Sequence, residues 1–184
     1  MLSSLHADNI TNLEGDRCPY NGLEDVDALT LARGFTTGRQ QHSGRSRTER
    51  RRLRRRILDS GGVFRPMVDV PANELVDIYL DLYRRRRGPN ELPMGYRQAV
   101  TVFTHLKDMI AGDILCFDNR PVAMELIYKH ETPRWLFVNG VQRGVDPEYR
   151  DQSIGSVLTF HNISRFEEEA VQKEKELRYS FGWN

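Results

Sequence analysis

The segment 145–158 has residue types that bind anions. A strand is expected before it and a helix after it, and the residues at the expected helix start, Ser153, Gly155 and Ser156, are small. Small residues let a ligand approach the backbone, and the first turn of a helix presents free N–H groups and a partial positive charge. Arg150 adds a guanidinium that can pair with phosphate. The spacing therefore predicts a phosphate or pyrophosphate site, although small helix caps are also common without a ligand.

A second group of residues that could bind anions is a run of arginines. Residues 45–56 contain eight arginines and one acidic residue, Glu49, although the net charge of the whole chain is only +1. Such a run can bind the phosphates of nucleic acid or an anionic membrane, with an affinity that falls steeply with salt. It can equally be a connector helix that pairs its guanidiniums with acidic side chains. The predicted anion- or partner-binding residues are Arg50, Arg51, Arg52, Arg54, Arg55 and Arg56.

Catalytic residues are harder to find. Glu125 could act as a general base and Tyr179 as a general acid, because both groups can exchange a proton with a reacting amine. Glu125 alternates with Met124 and Leu126, however, which is also the pattern of a side chain that points to solvent. A buried tyrosine is also more common than a catalytic one. The sequence therefore identifies no catalytic pair, and the spacing of its histidines and cysteines predicts no metal site.

These residues must be positioned by a mixture of helices and strands. Apolar residues at helical spacing predict helices over 45–60, 71–87, 96–111 and about 153–176. Shorter apolar runs between turn residues predict strands over 63–70, 114–117, 122–129, 135–139 and 177–181. The loop 140–149 then leads into the last long helix. We expect the second, third and fourth of these strands to form an antiparallel meander.

The composition excludes several classes of protein. The chain has 184 residues, of which 39% are hydrophobic, so it is long enough for a core and too apolar to be wholly disordered. Two cysteines exclude a disulfide scaffold, and we expect both to be ordinary reduced thiols. No apolar run approaches the roughly 20 residues that cross a bilayer, and the N-terminus lacks the pattern of a signal peptide. We expect a cytoplasmic protein, either soluble or peripheral at the inner membrane.

The motif Val-Asp-Pro-Glu-Tyr-Arg-x-x-Ser-Ile-Gly-Ser-x-Leu, at 145–158, resembles the acyl-CoA loop of the GNAT acyltransferases. Their pattern, Gln/Arg-x-x-Gly-x-Gly/Ala, follows a strand and opens a helix. Arg150, Ser153 and Gly155 fall on its three fixed positions, and Ser153 departs from the usual glycine. A serine there is similar to the divergent branch that includes the FemAB aminoacyl transferases and the BioF-associated GNAT-like domains. The resemblance covers residues 43–184 and looks closest to the bacterial macrophage-inducible (Mig) proteins.

The resemblance implies a GNAT-like fold of the α+β or α/β class, with a central mixed, largely antiparallel sheet and flanking helices. It implies an acyltransferase-related protein that uses acetyl-CoA or another acyl-CoA, an amine acceptor and no metal, by N-acyl or aminoacyl transfer if it is active. It also implies a role in resistance to cationic antimicrobial peptides. The residues it assigns to the acyl donor are Arg150, Asp151, Gln152, Ser153, Ile154, Gly155 and Ser156.

The expected organisation has three parts. Residues 1–44 form a polar remnant or disordered start, 45–60 a basic connector helix, and 61–184 a GNAT-like domain that is incomplete at its C-terminus. Relative to the family, the chain resembles a fragment cut at both ends, and one interpretation is that such a fragment does not fold alone. A different interpretation is a non-catalytic GNAT-fold binding module, in which the arginine-rich helix contacts an anionic membrane or nucleic acid.

Overall fold

The computed structural model describes residues 35–36 and 44–180. The chain divides into two compact units, residues 1–36 and 37–184. In the first unit the described residues form a two-residue strand, β1 (Phe35–Thr36). The expectation of a polar or disordered start over residues 1–44 falls almost entirely outside the described residues, as does Cys18.

The second unit contains four described α-helices and six described strands. The helices are α1 (Gly44–Asp59), α2 (Ala72–Arg87), α3 (Tyr96–His105) and α4 (Ile154–Gln172). The strands are β2 (Gly62–Pro66), β3 (Ile110–Ala111), β4 (Asp113–Phe117), β5 (Arg120–Glu131), β6 (Trp135–Val145) and β7 (Glu176–Ser180). Single 3-10 turns occupy Met67–Asp69, Lys107–Met109 and Pro147–Gln152.

The strands of this unit form one mixed sheet in the order β7-β6-β5-β4-β2, and β3 pairs with β5. The pairs β2–β4, β4–β5 and β5–β6 are antiparallel. Strands β6 and β7 are parallel, so the chain must cross over between them, and α4 is that crossover. The predicted fold class, a central mixed, largely antiparallel sheet with flanking helices, is confirmed.

Helices cover both faces of the sheet, which decides where its side chains point. Helices α2 and α3 pack against one face, where Ile114, Met124 and Leu126 are buried. Helix α4 covers the other face, against Leu115 and Ile127 among others, and the Ile57 side chain of α1 joins that core. Because neighbouring residues of a strand point to opposite faces, both sets of side chains along β4 and β5 are shielded from water.

Most of the predicted elements are confirmed, but several boundaries were wrong. The strand expected over 63–70 ends at Pro66, where the 3-10 turn Met67–Asp69 follows. The third helix was expected to run to residue 111 but ends at His105, because Ile110 and Ala111 pair with β5 instead. Gly112 lies well after the end of that helix, between two strands. It has a φ of +98° between β3 and β4, and a Cβ there would lie 2.3 Å from the Glu125 carbonyl oxygen, so only glycine fits.

Another wrong boundary concerns the predicted loop 140–149. Strand β6 continues through residue 145 and stays paired with β5, so most of that segment is strand. The two glycines and the polar residues of this segment interrupt the alternation of apolar residues that would predict a strand. Gly144 is there because the strand passes close to α2: a Cβ would lie 3.0 Å from the Leu82 Cβ.

Candidate functional site

The predicted anion-binding segment lies between the end of β6 and the start of α4. The Asp146 carboxylate accepts a hydrogen bond from the Glu148 amide at 3.1 Å and so caps the 3-10 turn, which Pro147 opens. Ser153 then has a φ of 55° and a ψ of 22°, in the left-handed region. This conformation turns the chain sharply, and α4 begins at Ile154.

Asp146 anchors this segment to the body of the unit. Its side chain is 2% exposed and accepts hydrogen bonds from Arg85, on α2, at 2.6 Å and from Arg120, on β5, at 2.9 Å. Burial opposes its ionisation, but the Glu148 amide and the two guanidiniums outweigh burial and hold the pKa of the carboxyl below its ordinary value. Asp146 is therefore a charged, fixed point at the base of the loop.

The first turn of α4 presents backbone donors at the surface. The Val157 amide donates to the Ser153 carbonyl at 3.1 Å, so by the i to i−4 pattern the three amides before it have no acceptor within the helix. The side chains of Ser153 and Ser156 are exposed, and Gly155 is half-buried. Arg150 is also exposed, as are Asp151 and Gln152, whereas Ile154 is buried in the core. The structure thus brings the predicted donor-binding residues to one helix start.

Gly155 has a packing role that the sequence did not reveal. A Cβ added to it would lie 3.1 Å from the Val145 Cγ2 and 3.4 Å from the Arg143 Cδ. The Arg143 guanidinium also donates to the Gly155 carbonyl at 3.3 Å. Glycine therefore lets the first turn of α4 approach β6 closely.

A groove of about 640 Å³ lies beside the loop and extends to α1. On one side it is lined by residues of the predicted donor loop, and on the other by Arg56 of the arginine run. The structure therefore brings parts of two predicted anion-binding groups to one groove.

The other arginines of α1 have different environments. Arg51, Arg52, Arg55 and Arg56 are exposed, and their spacing along the helix puts them on one face. Arg54 is half-buried, and its Nε donates to the His161 Nδ1 on α4 at 3.0 Å. Arg50 is half-buried too and has a partner of its own.

His161 links α1 to the sheet. Because its Nδ1 accepts from Arg54, its proton is on Nε2, which donates to the Asp113 Oδ2 at 2.7 Å. Asp113 is 2% exposed and also faces the Arg165 guanidinium at 3.2 Å. The Phe64 ring stacks on the imidazole with a centroid distance of 4.0 Å. His161 is therefore a packed residue between α1, β2 and β4.

Glu125 does not point to solvent, so that interpretation of its alternation was wrong. The side chain faces α4, because the second face of the sheet is also covered, and the residue is 6% exposed. Its Oε1 accepts from the Thr159 hydroxyl at 2.7 Å and its Oε2 from the Asn162 amide at 2.8 Å. The Thr159 oxygen in turn accepts from Arg143 at 2.7 Å. Burial raises the pKa of Glu125, while its hydrogen bonds and the charge of Arg143 oppose the rise.

Tyr179, the other catalytic candidate, lies in the same interior region. It is fully buried in the core under α4. Burial first, and then the charge of Glu125, raise the pKa of its hydroxyl far above the ordinary value. The structure therefore brings the two candidates together, but inside the protein and beneath α4.

Four residues of this region were not predicted from the sequence, namely Asp146, Arg143, Thr159 and Asn162. A signal existed for Asp146, because Asp before Pro at the end of a strand is typical of a capped turn. Thr159 and Asn162 are polar residues three apart within the apolar stripe of α4, which indicates a buried polar partner. Arg143 gave no signal, because it fell in a segment interpreted as loop.

Within residues 44–180, no group of three or more histidine, cysteine, aspartate or glutamate side chains is placed to hold a metal ion. Cys116 is a free, buried thiol, as expected. No helix in the described ranges combines the length and the apolar character that a membrane span needs.

Comparison with known proteins gives one match to a family model and several similar solved structures. A family model described as Mig-14 matches residues 1–184. No curated protein matches the chain. Similar solved structures include three acetyltransferases. One, an aminoglycoside acetyltransferase from an uncultured soil metagenomic sample in complex with sisomicin, is 14% identical over 65% of this chain and 76% of its own, with a TM-score of 0.47.

The second is the ribosomal-protein-S18-alanine N-acetyltransferase from Escherichia coli, which is 14% identical over 60% of this chain and 62% of its own, with a TM-score of 0.46. The third is an aminoglycoside N-acetyltransferase in complex with CoA. It is 10% identical over 65% of this chain and 74% of its own, with a TM-score of 0.43.

Proposed function

Because this chain belongs to the Mig-14 family, whose model matches residues 1–184, we propose that it is an acyltransferase-related protein that binds an acyl-CoA and acts in resistance to cationic antimicrobial peptides. The peptide-resistance role is supported by the resemblance of the sequence to the macrophage-inducible proteins. The acyl donor is supported by the motif at 145–158 and by the geometry of that segment. We place the protein in the cytoplasm, in contact with the inner membrane surface.

The observation that carries the donor site is the form of the segment from Asp146 to Ser156. A buried, doubly paired aspartate holds its base, and a left-handed Ser153 turns the chain into a helix whose first amides face out. Helix starts of this kind favour phosphate because their N–H groups and dipole both attract negative charge. The exposed Arg150 adds a cation beside it.

In the proposed reaction the acceptor's amine nitrogen bonds to the acyl carbon and the thioester C–S bond breaks. The amine proton ends on the released thiol or in solvent. The residues of this chain bind and orient the donor, which lowers the barrier by placing the acyl carbon near the amine. Glu125 and Tyr179 would support this from inside, by fixing the sheet under α4.

The test is isothermal titration of the whole chain with acetyl-CoA, using Ser156→Glu and Ser156→Gln. Ser156 is exposed in the first turn of α4, where a carboxylate is favourable to the helix dipole but repels a phosphate. We expect saturable binding by the wild type and by the glutamine variant. The glutamate variant should fold equally well and bind at least about tenfold more weakly.

Equal binding by the two variants would contradict a phosphate site at this helix start. No binding by a cooperatively folded wild type would overturn the proposed donor. Gly155→Val is unsuitable for this purpose, because its side chain would also collide with Val145 and Arg143.

A second candidate function is a binding module without catalysis. It is favoured by one observation: the exposed arginines of α1, namely Arg51, Arg52, Arg55 and Arg56, share a face and form no ion pair with other described residues. Such a face can contact an anionic membrane or nucleic acid.

A further inference from the structure

The groove beside the donor loop has a second wall that the motif at 145–158 does not include. The C-terminal half of α1 forms this wall, and the tip of the β4–β5 hairpin closes one side. Its volume of about 640 Å³ is in the range of roughly 300–1,000 Å³ that small-molecule sites occupy. The side chains that matter below are Arg56, Phe117, Asp118, Tyr149 and Asp151, all of which line it.

Arg56 is the arginine of α1 that lines this groove. It is exposed, and within the described ranges its guanidinium forms no ion pair, whereas Arg54, half a turn away, is bonded to His161. A guanidinium presents a planar fork of donors that matches the oxygens of a phosphate. Arg56 is therefore free to bind an anion that enters from the loop side.

The rest of the groove has aromatic and acidic side chains, which a small anion such as free phosphate would not use. Phe117 and Tyr149 form a nearly parallel pair, with a centroid distance of 5.4 Å and an interplanar angle of 7°. Flat aromatic surfaces bind nucleobases by stacking. Asp118 and Asp151 offer acceptors for the hydroxyls of a ribose or an exocyclic amine, and they disfavour several phosphates side by side. The groove thus combines one cation, one aromatic surface and hydrogen-bond acceptors.

We propose that Arg56 is a specificity-determining residue that binds the 3′-phosphate of a coenzyme A thioester, whose adenosine lies in the groove along the Phe117–Tyr149 pair. This rests on the proposed function, because the groove is continuous with residues 151–153 of the donor loop. Such a site selects coenzyme A thioesters over acyl phosphates and over simple pantetheine thioesters, because neither of these has the adenosine 3′-phosphate. The arginine-rich helix contributes to the donor site through this one side chain.

The experiment compares acetyl-CoA with acetyl-3′-dephospho-CoA and S-acetylpantetheine by isothermal titration. The whole chain is used as wild type, Arg56→Gln and Arg55→Gln. Arg55 is the matched control, because it is exposed on the same helix and its loss changes the net charge equally, but it does not line the groove. We expect Arg56→Gln to weaken acetyl-CoA by about tenfold and to leave the dephospho compound within about twofold. Arg55→Gln should leave both Kd values within about twofold.

Three results would overturn the inference. One is equal weakening of acetyl-CoA and its dephospho form by Arg56→Gln, which would mean a general effect of charge or structure. The second is an equal effect of Arg55→Gln. The third is binding of S-acetylpantetheine as tight as that of acetyl-CoA, which would exclude a nucleotide subsite. The first two results leave the proposed donor loop standing. The third also contradicts a phosphate site at that loop, because S-acetylpantetheine carries no phosphate, and no binding of any thioester to the wild type would likewise overturn both proposals.

Discussion

The Arg85 Nη1 lies 2.6 Å from the Asp146 Oδ2, and this ion pair joins the last turn of α2 to the base of the loop before α4. Arg85 also pairs with Asp81 one turn earlier, at 2.6 Å, which fixes the guanidinium on its own helix. Arg85 belongs to a run of four arginines in the last turn of α2, where cations are favourable to the helix dipole. Arg85 has the additional task of holding the loop, and Arg86 donates to the Arg143 carbonyl on β6 at 3.0 Å.

Loss of the Arg85–Asp146 ion pair should destabilise the loop before α4. Asp146→Asn keeps an oxygen for the Glu148 amide but deprives Arg85 and Arg120 of a buried partner. We expect a loss of about 1–3 kcal/mol in the free energy of unfolding by urea at pH 7. Glu148→Gln is the control, because Glu148 is 68% exposed and its ion pair is with Arg120, which is also exposed, so its loss should cost within about 0.5 kcal/mol.

The pH dependence of that effect follows from the lowered pKa of Asp146. A carboxyl whose pKa is lower in the folded state stabilises the fold above its unfolded pKa, near 3.8, and loses that contribution as the pH falls through the folded value. The wild type should therefore lose its advantage over Asp146→Asn only below about pH 4. An advantage that is already lost at pH 6 would contradict the ion pair as its source.

Glu125 should show the opposite pH dependence. Burial raises its pKa above 4.5, so the folded state takes up a proton more readily than the unfolded chain and the wild type loses stability as the pH rises above that value. Glu125→Gln removes this titration, and its amide can still bond to Thr159 and Asn162. We expect the free energy of unfolding of the variant, relative to wild type, to be higher at pH 8 than at pH 5. An unchanged difference in urea unfolding at the two pH values would refute this.

The environment of Glu125 also shows where the sequence analysis failed. The alternation along β5 was seen correctly, but alternation cannot tell whether the second face of a sheet meets water or a helix. Here the crossover α4 covers that face, and its Thr159 and Asn162 reach the carboxylate. The coverage depends on the parallel pairing of β6 with β7, whose paired residues are 41 positions apart in the sequence, so this pairing has no local signal.

The loop itself was predictable, because its information is local. A strand, then Asp-Pro, then small residues before an apolar stripe indicate a capped turn and a helix start, and the structure has both. The groove next to it was not predictable. It arises because α1, which is about 100 residues earlier in the chain, packs on α4 through Arg54 and His161. Arg56 was expected to bind anions, but its place beside the loop depends on that tertiary contact.

Gly155→Val should destabilise the fold whether or not a donor binds. A Cβ there would lie 3.1 Å from the Val145 Cγ2, which is tighter than an ordinary contact, and 3.4 Å from the Arg143 Cδ. The two methyl groups of valine add to this crowding, so we expect the first turn of α4 to shift away from β6. We expect a loss of about 1–3 kcal/mol in thermal or urea unfolding without any ligand. Ser156→Val is the neighbouring control on an exposed position and should cost less than about 1 kcal/mol. Equal stability of Gly155→Val and wild type would show that the first turn adapts without strain.

Helix α1 should detach locally when its contact with His161 is lost. Arg54→Met removes the 3.0 Å hydrogen bond to the imidazole and the approach of the guanidinium to the Phe64 ring, at 5.7 Å. A loss of about 1 kcal/mol corresponds to roughly fivefold faster amide hydrogen exchange in α1. Arg55→Met is the control, since Arg55 is exposed and on the outer face. Exchange that rises equally in both variants, or in neither, would contradict a role of the Arg54–His161 hydrogen bond in holding α1 against the fold.

The exposed face of α1 allows the two candidate functions to be separated. If the chain is a binding module, Arg51→Gln, Arg52→Gln and Arg55→Gln together should weaken binding to vesicles with anionic lipid by about 1 kcal/mol per arginine, and the loss should shrink as salt rises. A control triple at Arg84, Arg87 and Arg97 removes the same charge from exposed positions elsewhere in the described fold. A 20-base-pair DNA duplex tests nucleic acid in the same titrations. Equal losses for the two triples would mean a general charge effect. If the wild type binds neither vesicles nor DNA, the hypothesis of a binding module is wrong. The proposed donor site then remains as the function of the groove that Arg56 lines.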